Sequence, residues 1–216
     1  MKIPPAGEIE IWSAALDRDS WVEICRPLLS DNERRHAERF RFEHLRRRYT
    51  IAHGFLRDVL GRYLGTPPQE LIFETGEHGK PFVPGTALQF NLSHSEELAA
   101  CAVTSGRSVG VDVEFIRDVP ELDAIAARFF TGGERERIGR ADDRRQAFFE
   151  CWTRKEAYIK AVGGGLSIPL TSFDASAAVK GWALAGWMPG IGYAGAVALE
   201  AEITRCDLRT WQPRIP

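Results

Sequence analysis

Polar and apolar residues follow regular periods over most of the chain. They alternate from Glu8 to Ser13, which predicts a short strand with one buried face. From Arg34 to about Leu64 the apolar residues recur at helical spacing, until a Gly-Thr-Pro-Pro segment interrupts the pattern. We therefore predict one long amphipathic helix in this region. Ser30 and Glu33 have the spacing of a capping box, which opens a helix.

The pattern changes in the middle of the chain. Four segments separated by turn-rich stretches are predicted to be strands: Leu71 to Glu74, Leu88 to Leu92, Leu98 to Thr104 and Val109 to Glu114. Helices are predicted next, at Leu122 to Phe130 and Arg144 to Val162, and three consecutive glycines end the second one. Further strands are expected at Gly192 to Glu202 and Arg205 to Trp211. Helices and strands in mixed order predict an α+β fold.

Composition limits the kinds of protein this chain can be. Its 216 residues, 44% of them hydrophobic, are enough for a packed core, and we expect two packed α+β halves, residues 1–105 and 106–216. A net charge of −2 argues against a protein that coats nucleic acid. No apolar run reaches the length of a membrane span, and the first residues lack the apolar stretch of a secretory signal. None of the four cysteines forms a C-x-x-C pair, so we expect reduced thiols in a cytoplasmic protein.

The predicted strand from Val109 to Glu114 is the first candidate for chemistry. Its period of two places Gly110, Asp112 and Glu114 on one face and three valines on the other. The two carboxylates then lie roughly 7 Å apart between their Cα atoms. That spacing allows both to approach one hard cation such as Mg²⁺. An ordinary solvated strand face would show the same two acids.

The predicted helix from Arg144 to Val162 is the second candidate. Trp152, Glu156 and Lys160 fall on one of its faces, at positions i, i+4 and i+8. Neighbouring aromatic residues anchor the helix in a core, so Glu156 and Lys160 are expected at the edge of a buried surface. The alternative is a simple salt bridge on the helix surface, worth only about 0.3–0.5 kcal/mol.

Three further segments contain groups that suit a phosphate. Ser93 and His94 lie at the end of a predicted strand, where a hydroxyl, an imidazole and loop amides can hold an anion. Lys80 stands between a glycine and a proline, and Arg48 is the last of three consecutive arginines. Each segment is also compatible with an ordinary turn or a solvated helix face.

Taken together, the segments resemble the 4′-phosphopantetheinyl transferases that activate peptide and polyketide synthases. That family has a G-[IV]-D-[IV]-E strand, matched by residues 110–114, and a W-x-x-K-E-[AS]-x-x-K helix, matched by residues 152–160. G-K-P and F-N-[IL]-S-H-S elements precede them in order, and a G-L-S-[IL]-P-L-x-S-F element follows at residues 165–173. Each element alone is weak, but five in order are specific.

The resemblance implies two similar α+β halves related by a pseudo-twofold axis, with coenzyme A bound in the cleft between them. It implies that Asp112, Glu114 and Glu156 coordinate Mg²⁺ together with the pyrophosphate of coenzyme A. Lys160, with Lys155 as a second candidate, would neutralise that pyrophosphate. Glu156 and Lys160 are therefore the expected catalytic residues.

On the nucleotide side, the resemblance implies that Ser93 and His94 contact phosphates of coenzyme A. His94 and Arg48 would meet the 3′-phosphate, and Lys80 would line the cleft. The implied reaction is phosphoryl transfer, in which a serine of an apo acyl, peptidyl or polyketide carrier protein receives the phosphopantetheine arm and 3′,5′-ADP leaves. Glu156 is the candidate base for the serine proton, directly or through water.

One segment departs from the family pattern. The best-known relatives have lysines between the positions of Ser30 and Phe40 that help to hold the 3′-phosphate, and here Glu33 and His36 stand in their places. The resemblance otherwise implies a monomer that serves secondary-metabolite biosynthesis, with no nucleic acid and no membrane as a partner.

Two other functions stay open at this point. A phosphohydrolase or nuclease could use the same three carboxylates, and it would release phosphate or nucleotide without any carrier protein. A non-enzymatic module could bind nucleic acid through the arginine-rich region 34–62. Acidic residues interrupt that region, however, and it lacks a recognised nucleic-acid motif.

Overall fold

A computed structural model describes residues 1–177 and 179–214. Its helices are α1 (Asp19–Cys25), α2 (Asp31–Glu38), α3 (Glu43–Leu64), α4 (Leu122–Phe129), α5 (Gly132–Arg140) and α6 (Arg144–Val162). Its strands are β1 (Glu8–Ala15), β2 (Glu74–Thr75), β3 (Pro81–Phe82), β4 (Leu88–Ser95), β5 (Leu98–Ser105), β6 (Val109–Phe115), β7 (Trp182–Trp187), β8 (Tyr193–Glu200) and β9 (Arg205–Thr210). This mixture confirms the predicted α+β class.

The strands form two main sheets. The first has the order β4-β5-β1-β9, in which β1 pairs antiparallel with β5 and parallel with β9. The second has the order β6-β8-β7 and is antiparallel throughout. The boundary predicted after residue 105 falls between β5 and β6, and therefore between the two sheets. The predicted halves need one correction, because β9 comes from the end of the chain and pairs in the first sheet.

The sheets and the long helices form four layers. Helix α3 covers the outer face of the first sheet, where Phe55, Phe90 and Trp211 belong to one buried cluster. The inner face of that sheet packs on the second sheet through residues such as Ile11 and Val111. Helix α6 covers the outer face of the second sheet with alanines at positions 157 and 161. On the sheet side of each contact, the apolar residues occupy alternating positions of the strands.

The sequence predicted the place of most elements, but the region around α3 differs from the prediction. The capping box is confirmed, since Ser30 Oγ accepts from the Glu33 amide at 3.3 Å and the Glu33 carboxylate accepts from the Ser30 amide at 2.8 Å. The single helix predicted from Arg34 to Leu64 is wrong, because the chain turns between α2 and α3. Phe40 lies in this turn and packs its ring against Tyr49 of α3, with 5.4 Å between ring centroids. That contact is a reason for the break, since it folds α2 back toward α3.

Other elements were predicted in part. Of the strand expected at Leu71 to Glu74, the structure retains only the short β2, and α1, α5, β3 and β7 were not predicted. Helix α6 has the predicted bounds, and Gly163 ends it in the left-handed conformation with φ of 73°. None of the helices in the described part of the chain combines the length and the apolar composition that crossing a membrane requires.

Candidate active site

Strand β6, at the edge of the second sheet, brings two of the predicted carboxylates next to α6, which carries the third. The valines of β6 point into the core between the sheets, so Gly110, Asp112 and Glu114 lie on its other face, as the period of two predicts. At Gly110 the approach of α6 is very close, since a Cβ atom there would lie 2.1 Å from the carbonyl oxygen of Ala157. Glycine therefore lets α6 rest directly on β6 and places Lys160 within reach of Asp112.

Asp112 is the centre of the cluster. Its side chain is 4% exposed, and Oδ1 accepts hydrogen bonds from Lys160 Nζ at 2.6 Å and from Ser93 Oγ at 2.9 Å. Lys160 Nζ also donates to Ser93 Oγ at 3.0 Å. The second carboxylate oxygen, Oδ2, is buried without a hydrogen-bond partner among the described residues. A buried oxygen left in this state is costly, and a bound cation would relieve that cost.

The three carboxylates repel one another. Burial raises the pKa of Asp112, and the charge of Glu156 adds to this effect, although Lys160 and Ser93 oppose it. Burial also raises the pKa of Glu114, with a further contribution from Asp112, and the pKa of Glu156, with a further contribution from Glu114. The three groups are therefore electrostatic neighbours. Lys160 acts on all three, which leaves part of their negative charge uncompensated.

A cavity of about 290 Å³ opens beside this cluster. Glu156 and Lys160 line it from α6, Asn91 lines it from β4, and Lys80 lines it from the segment before β3. An adjoining groove of about 460 Å³ shares Lys80 and continues along the β2–β3 hairpin. A larger cavity of about 500 Å³ lies between α1, α2 and α3 and is lined by none of the predicted site residues. Size alone therefore does not identify the site.

Lys155 lies outside the cluster, which corrects its predicted contact with a pyrophosphate. Its side chain is fully buried, and its ammonium binds the Glu134 carboxylate at 2.9 Å. The same ammonium donates to the carbonyl oxygens of Leu170 and Phe173 at 2.6 and 2.7 Å. These acceptors use all three ammonium protons. Lys155 thus ties α6 to α5 and to the segment that follows α6.

Lys80 connects the β2–β3 hairpin to the second sheet. Its ammonium donates to the carbonyl oxygens of Val109 and Ala161, both at 2.9 Å. Burial lowers the pKa of Lys80 to about 8. Two of its three donors are used in this way, so the third is available to a ligand in the cavity that Lys80 lines.

Basic side chains border the cluster on the side of the first sheet. The pKa of His94 is lowered by desolvation in the surrounding protein and by the positive charges of His53, Lys160 and Arg48. The guanidinium of Arg48 is already bound by two glutamates in the β4–β5 turn, at 2.7 and 2.8 Å. An anion at this place would share Arg48 with those acids.

Glu33 and His36, the two departures from the family pattern, are both held by protein. Glu33 accepts from Arg57 Nε at 2.5 Å and contacts His53 Nδ1 at 3.1 Å. Burial opposes its ionisation, but the bonds from His53, Ser30 and Arg57 outweigh burial and lower the pKa of Glu33 to about 2. The ring of His36 packs on a tyrosine of α3. Glu33 therefore stabilises the α2–α3 junction through its ion pair with Arg57.

Sequence reasoning assigned no role to His53 or Ser95. Tyr49 stacks on His53 with 4.0 Å between ring centroids, and their spacing of four residues on one helix was an available signal. Ser95 Oγ donates to Glu114 Oε2 at 2.8 Å. Its signal was the S-x-S alternation at the end of β4, which has the same period as the D-x-E alternation of β6.

The donor set suits a hard divalent cation in its chemistry. Carboxylate oxygens are the protein ligands that Mg²⁺ prefers, and Asp112 contributes one that is buried and without a partner among the described residues. Within residues 1–177 and 179–214, no three His, Cys, Asp or Glu side chains are already arranged as a metal site. The charge and the donor atoms of the cluster therefore fit a divalent cation, and the carboxylates would take up a ligand arrangement when the cation binds.

Comparison with known proteins assigns the chain to a family. The model of the 4′-phosphopantetheinyl transferase superfamily matches residues 108–186, and a model of a 4′-phosphopantetheinyl transferase N-terminal domain matches residues 12–106. The 4′-phosphopantetheinyl transferase HetI of a Nostoc species is 35% identical over 224 residues, which cover 97% of this chain and 92% of HetI. The chain belongs to the 4′-phosphopantetheinyl transferases.

Other members of the family are similar over shorter stretches. The 4′-phosphopantetheinyl transferase psf-1 of Bacillus pumilus is 38% identical over 75% of this chain and 70% of its own length. The transferase Sfp of Bacillus subtilis strain 168 is 33% identical over 68% of this chain and 65% of its own length. These matches confirm the family and the enzyme class predicted from the five motifs.

Proposed function

We propose that this phosphopantetheinyl transferase moves the 4′-phosphopantetheine arm of coenzyme A to a serine of an apo acyl, peptidyl or polyketide carrier protein. The products are holo-carrier and 3′,5′-ADP, and the reaction depends on Mg²⁺. The observation that supports this best is the meeting of Asp112, Glu114, Glu156 and Lys160 at the junction of the two sheets, beside a cavity.

Asp112, Glu114 and Glu156 are the residues that would hold Mg²⁺. Two cations lie near their three negative charges, Lys160 inside the cluster and the exposed guanidinium of Arg117 at 3.9 Å from Glu114, so a divalent cation can be added without a large excess of positive charge. When bound, Mg²⁺ polarises phosphoryl oxygens and compensates the charge that develops during transfer.

Lys160 and Glu156 are the side chains that act on the pyrophosphate and on the serine proton. Lys160 is about one third exposed, with its side chain 30% accessible, so its ammonium can leave Asp112 partly and donate to a pyrophosphate oxygen. Glu156 lines the cavity from α6, which makes its carboxylate the candidate base for a hydroxyl that enters there. Glu156 accepts the proton of the carrier serine, directly or through water.

The basic side chains beside β4 and the β2–β3 hairpin would hold the nucleotide end of coenzyme A. Arg48, with the imidazoles of His94 and His53 beside it, would meet the 3′-phosphate in competition with the two glutamates that already bind its guanidinium. Ser93 bonds to Lys160, and Lys80 lines the cavity with its remaining donor. We exclude Lys155 from this set, because its three donors are used inside the protein.

The architecture supports a cofactor cleft between two similar halves. Each half has a long helix on the outer face of a sheet that contains an antiparallel pair of strands, α3 on the first sheet and α6 on the second, and a left-handed glycine ends each helix. We infer a pseudo-twofold relation between residues 1–105 and 106–216, with β9 exchanged to the first sheet. A monomer that acts in the cytoplasm in secondary metabolism, without nucleic acid or membrane as partner, stays a prediction.

A mass-shift assay tests the proposed function. The protein is incubated with coenzyme A, Mg²⁺ and apo carrier proteins of the fatty-acid, polyketide and peptide types, and each carrier is weighed. We expect at least one carrier to gain one phosphopantetheine group, and none to do so when EDTA replaces Mg²⁺ or when alanine replaces the acceptor serine. If no carrier gains mass while coenzyme A is cleaved, the protein is a hydrolase and the proposal is wrong.

The Glu156→Gln variant tests the role of the carboxylate. Loss of a general base lowers turnover by about 10²- to 10⁴-fold, and loss of a cation ligand adds to this. Glu150→Gln is the matched control, because Glu150 is an exposed glutamate on the same helix. Near-normal transfer by Glu156→Gln would remove Glu156 from both proposed roles.

A further inference from the structure

Side chains join the edge strands β4 and β6, which belong to different sheets. Alternate residues of β4 each accept a hydrogen bond from a backbone amide of β6. Asn91 Oδ1 accepts from Val111 at 2.8 Å, Ser93 Oγ from Val113 at 3.4 Å and Ser95 Oγ from Phe115 at 3.2 Å. The partner lies 20 residues later in every case, so the two strands keep one register. These bonds give partners to backbone amides of the edge strand β6 that would otherwise lack them.

The two serines of this ladder also bind the two carboxylates of β6. Ser93 Oγ donates to Asp112 Oδ1 at 2.9 Å, and Ser95 Oγ donates to Glu114 Oε2 at 2.8 Å. Both carboxylates lie 19 residues after their serine. A hydroxyl has one proton and two acceptor sites, so each serine gives its proton to a carboxylate and accepts from the next amide. The direction of each carboxylate therefore follows from the register of the ladder.

The two carboxylates depend on their serines to different degrees. Asp112 has a second short donor, since Lys160 Nζ lies 2.6 Å from the same oxygen that Ser93 binds. Glu114 has a weaker second neighbour, because the nearest guanidinium nitrogen of Arg117 is 3.9 Å away and that side chain is 58% exposed. Ser95 is thus the short contact that orients Glu114, and Glu114 is the carboxylate most sensitive to loss of its hydroxyl.

We propose that Ser95 is a positioning residue of the transfer reaction, which orients Glu114 as a ligand of the divalent cation. The inference rests on the proposed function, because it assumes that Glu114 binds that cation. Ser95 acts through Glu114 and through the register of β4 against β6. A hydroxyl that orients a metal ligand is worth about 10- to 100-fold in metal affinity or activity.

Mn²⁺ binding without turnover is the test. Free Mn²⁺ is measured by electron paramagnetic resonance during titration of the protein with coenzyme A present and the carrier absent. We expect Ser95→Ala to weaken Mn²⁺ binding by about 10- to 100-fold and Ser95→Thr, which keeps the hydroxyl, to restore most of it. Ser13→Ala is the control, since Ser13 is also a strand serine that bonds across a sheet, to the Arg209 carbonyl.

Two additional comparisons separate orientation from packing. Ser95→Thr and Ser95→Val have nearly the same shape and differ in the hydroxyl, so unequal Mn²⁺ affinity at equal melting temperature identifies the hydrogen bond as the cause. In a Glu114→Gln background, Ser95→Ala should cause little further loss, because the two residues act as one unit.

The inference would be overturned if Ser95→Ala bound Mn²⁺ as tightly as the wild type, or if the Thr and Val variants bound it equally. The proposed function would still be supported in that case, provided that the wild type modifies a carrier. Full additivity of the two losses in the Glu114→Gln background would also overturn it. If the wild type neither binds Mn²⁺ with coenzyme A nor modifies a carrier, the proposed function fails, and the role of Ser95 fails with it.

Discussion

Gly110→Ala perturbs the closest contact in the candidate site. The new Cβ would lie 2.1 Å from the carbonyl oxygen of Ala157, 2.4 Å from the amide nitrogen of Ala161 and 2.9 Å from its Cα. All three atoms belong to the backbone of α6, so no side chain can rotate away. Ordinary contacts begin at 3.4 Å, and α6 must therefore move outward from β6.

The size of that movement sets the expected loss. The helix must shift by about 1 Å, and misplacement by this distance costs roughly 100-fold in rate when it separates catalytic groups. Lys160 would lose its 2.6 Å contact with Asp112 in the same movement. Overpacking of a tight interface also costs about 1–3 kcal/mol of unfolding free energy. We expect both losses together, because one displacement causes them.

Urea unfolding and the carrier mass-shift assay measure the two losses on the same protein. Gly139→Ala is the matched control, since a Cβ at Gly139 of α5 meets nothing within 4 Å. Alanine there should be neutral or should stabilise the helix by up to about 1 kcal/mol. Wild-type stability and turnover for Gly110→Ala would refute the reasoning, because they would mean that α6 does not need its contact with β6.

Three further predictions concern single side chains. Lys155→Met should destabilise the protein by about 3–5 kcal/mol in urea unfolding, because it leaves Glu134 buried without its partner; exposed Lys180→Met is the control. Glu33 should contribute on the order of 3 kcal/mol to the free energy of unfolding above pH 4.5, because its pKa is lowered on folding, and this contribution should be lost as the pH falls toward 2. In acid unfolding, the difference in stability between the wild type and Glu33→Gln should then vanish. Lys160→Arg should keep the fold and lower turnover at least tenfold, since a planar fork replaces a compact ammonium; full activity would show that the lysine is interchangeable.

Local patterns in the sequence were sufficient for much of the site. The period of two on β6 placed the valines in the core and the two carboxylates on the opposite face, because side chains alternate along any strand. The capping box at Ser30 and the glycine end of α6 followed from backbone groups within a few residues of each other. The five ordered motifs were specific enough to identify the family.

Tertiary packing decided which motif residues face the site. Lys155 and Lys160 are five residues apart on α6, about 140° around its axis, so they could not both face one ligand. Only the fold shows that Lys155 turns to Glu134 and Lys160 to Asp112. Spacing within a helix fixes the angle between two side chains, and the neighbouring elements fix what each one meets.

Contacts between distant segments also could not be predicted from the sequence. The parallel pairing of β9 with β1 joins the two ends of the chain, and no local signal specifies a partner at that distance. The hydrogen bond from Ser95 to Glu114 exists because β4 and β6 lie side by side in one register. Local sterics determine period, caps and turns, whereas long-range packing determines partners. The residue types of the site were therefore readable in the sequence, and their mutual orientation required the assembled sheets and α6.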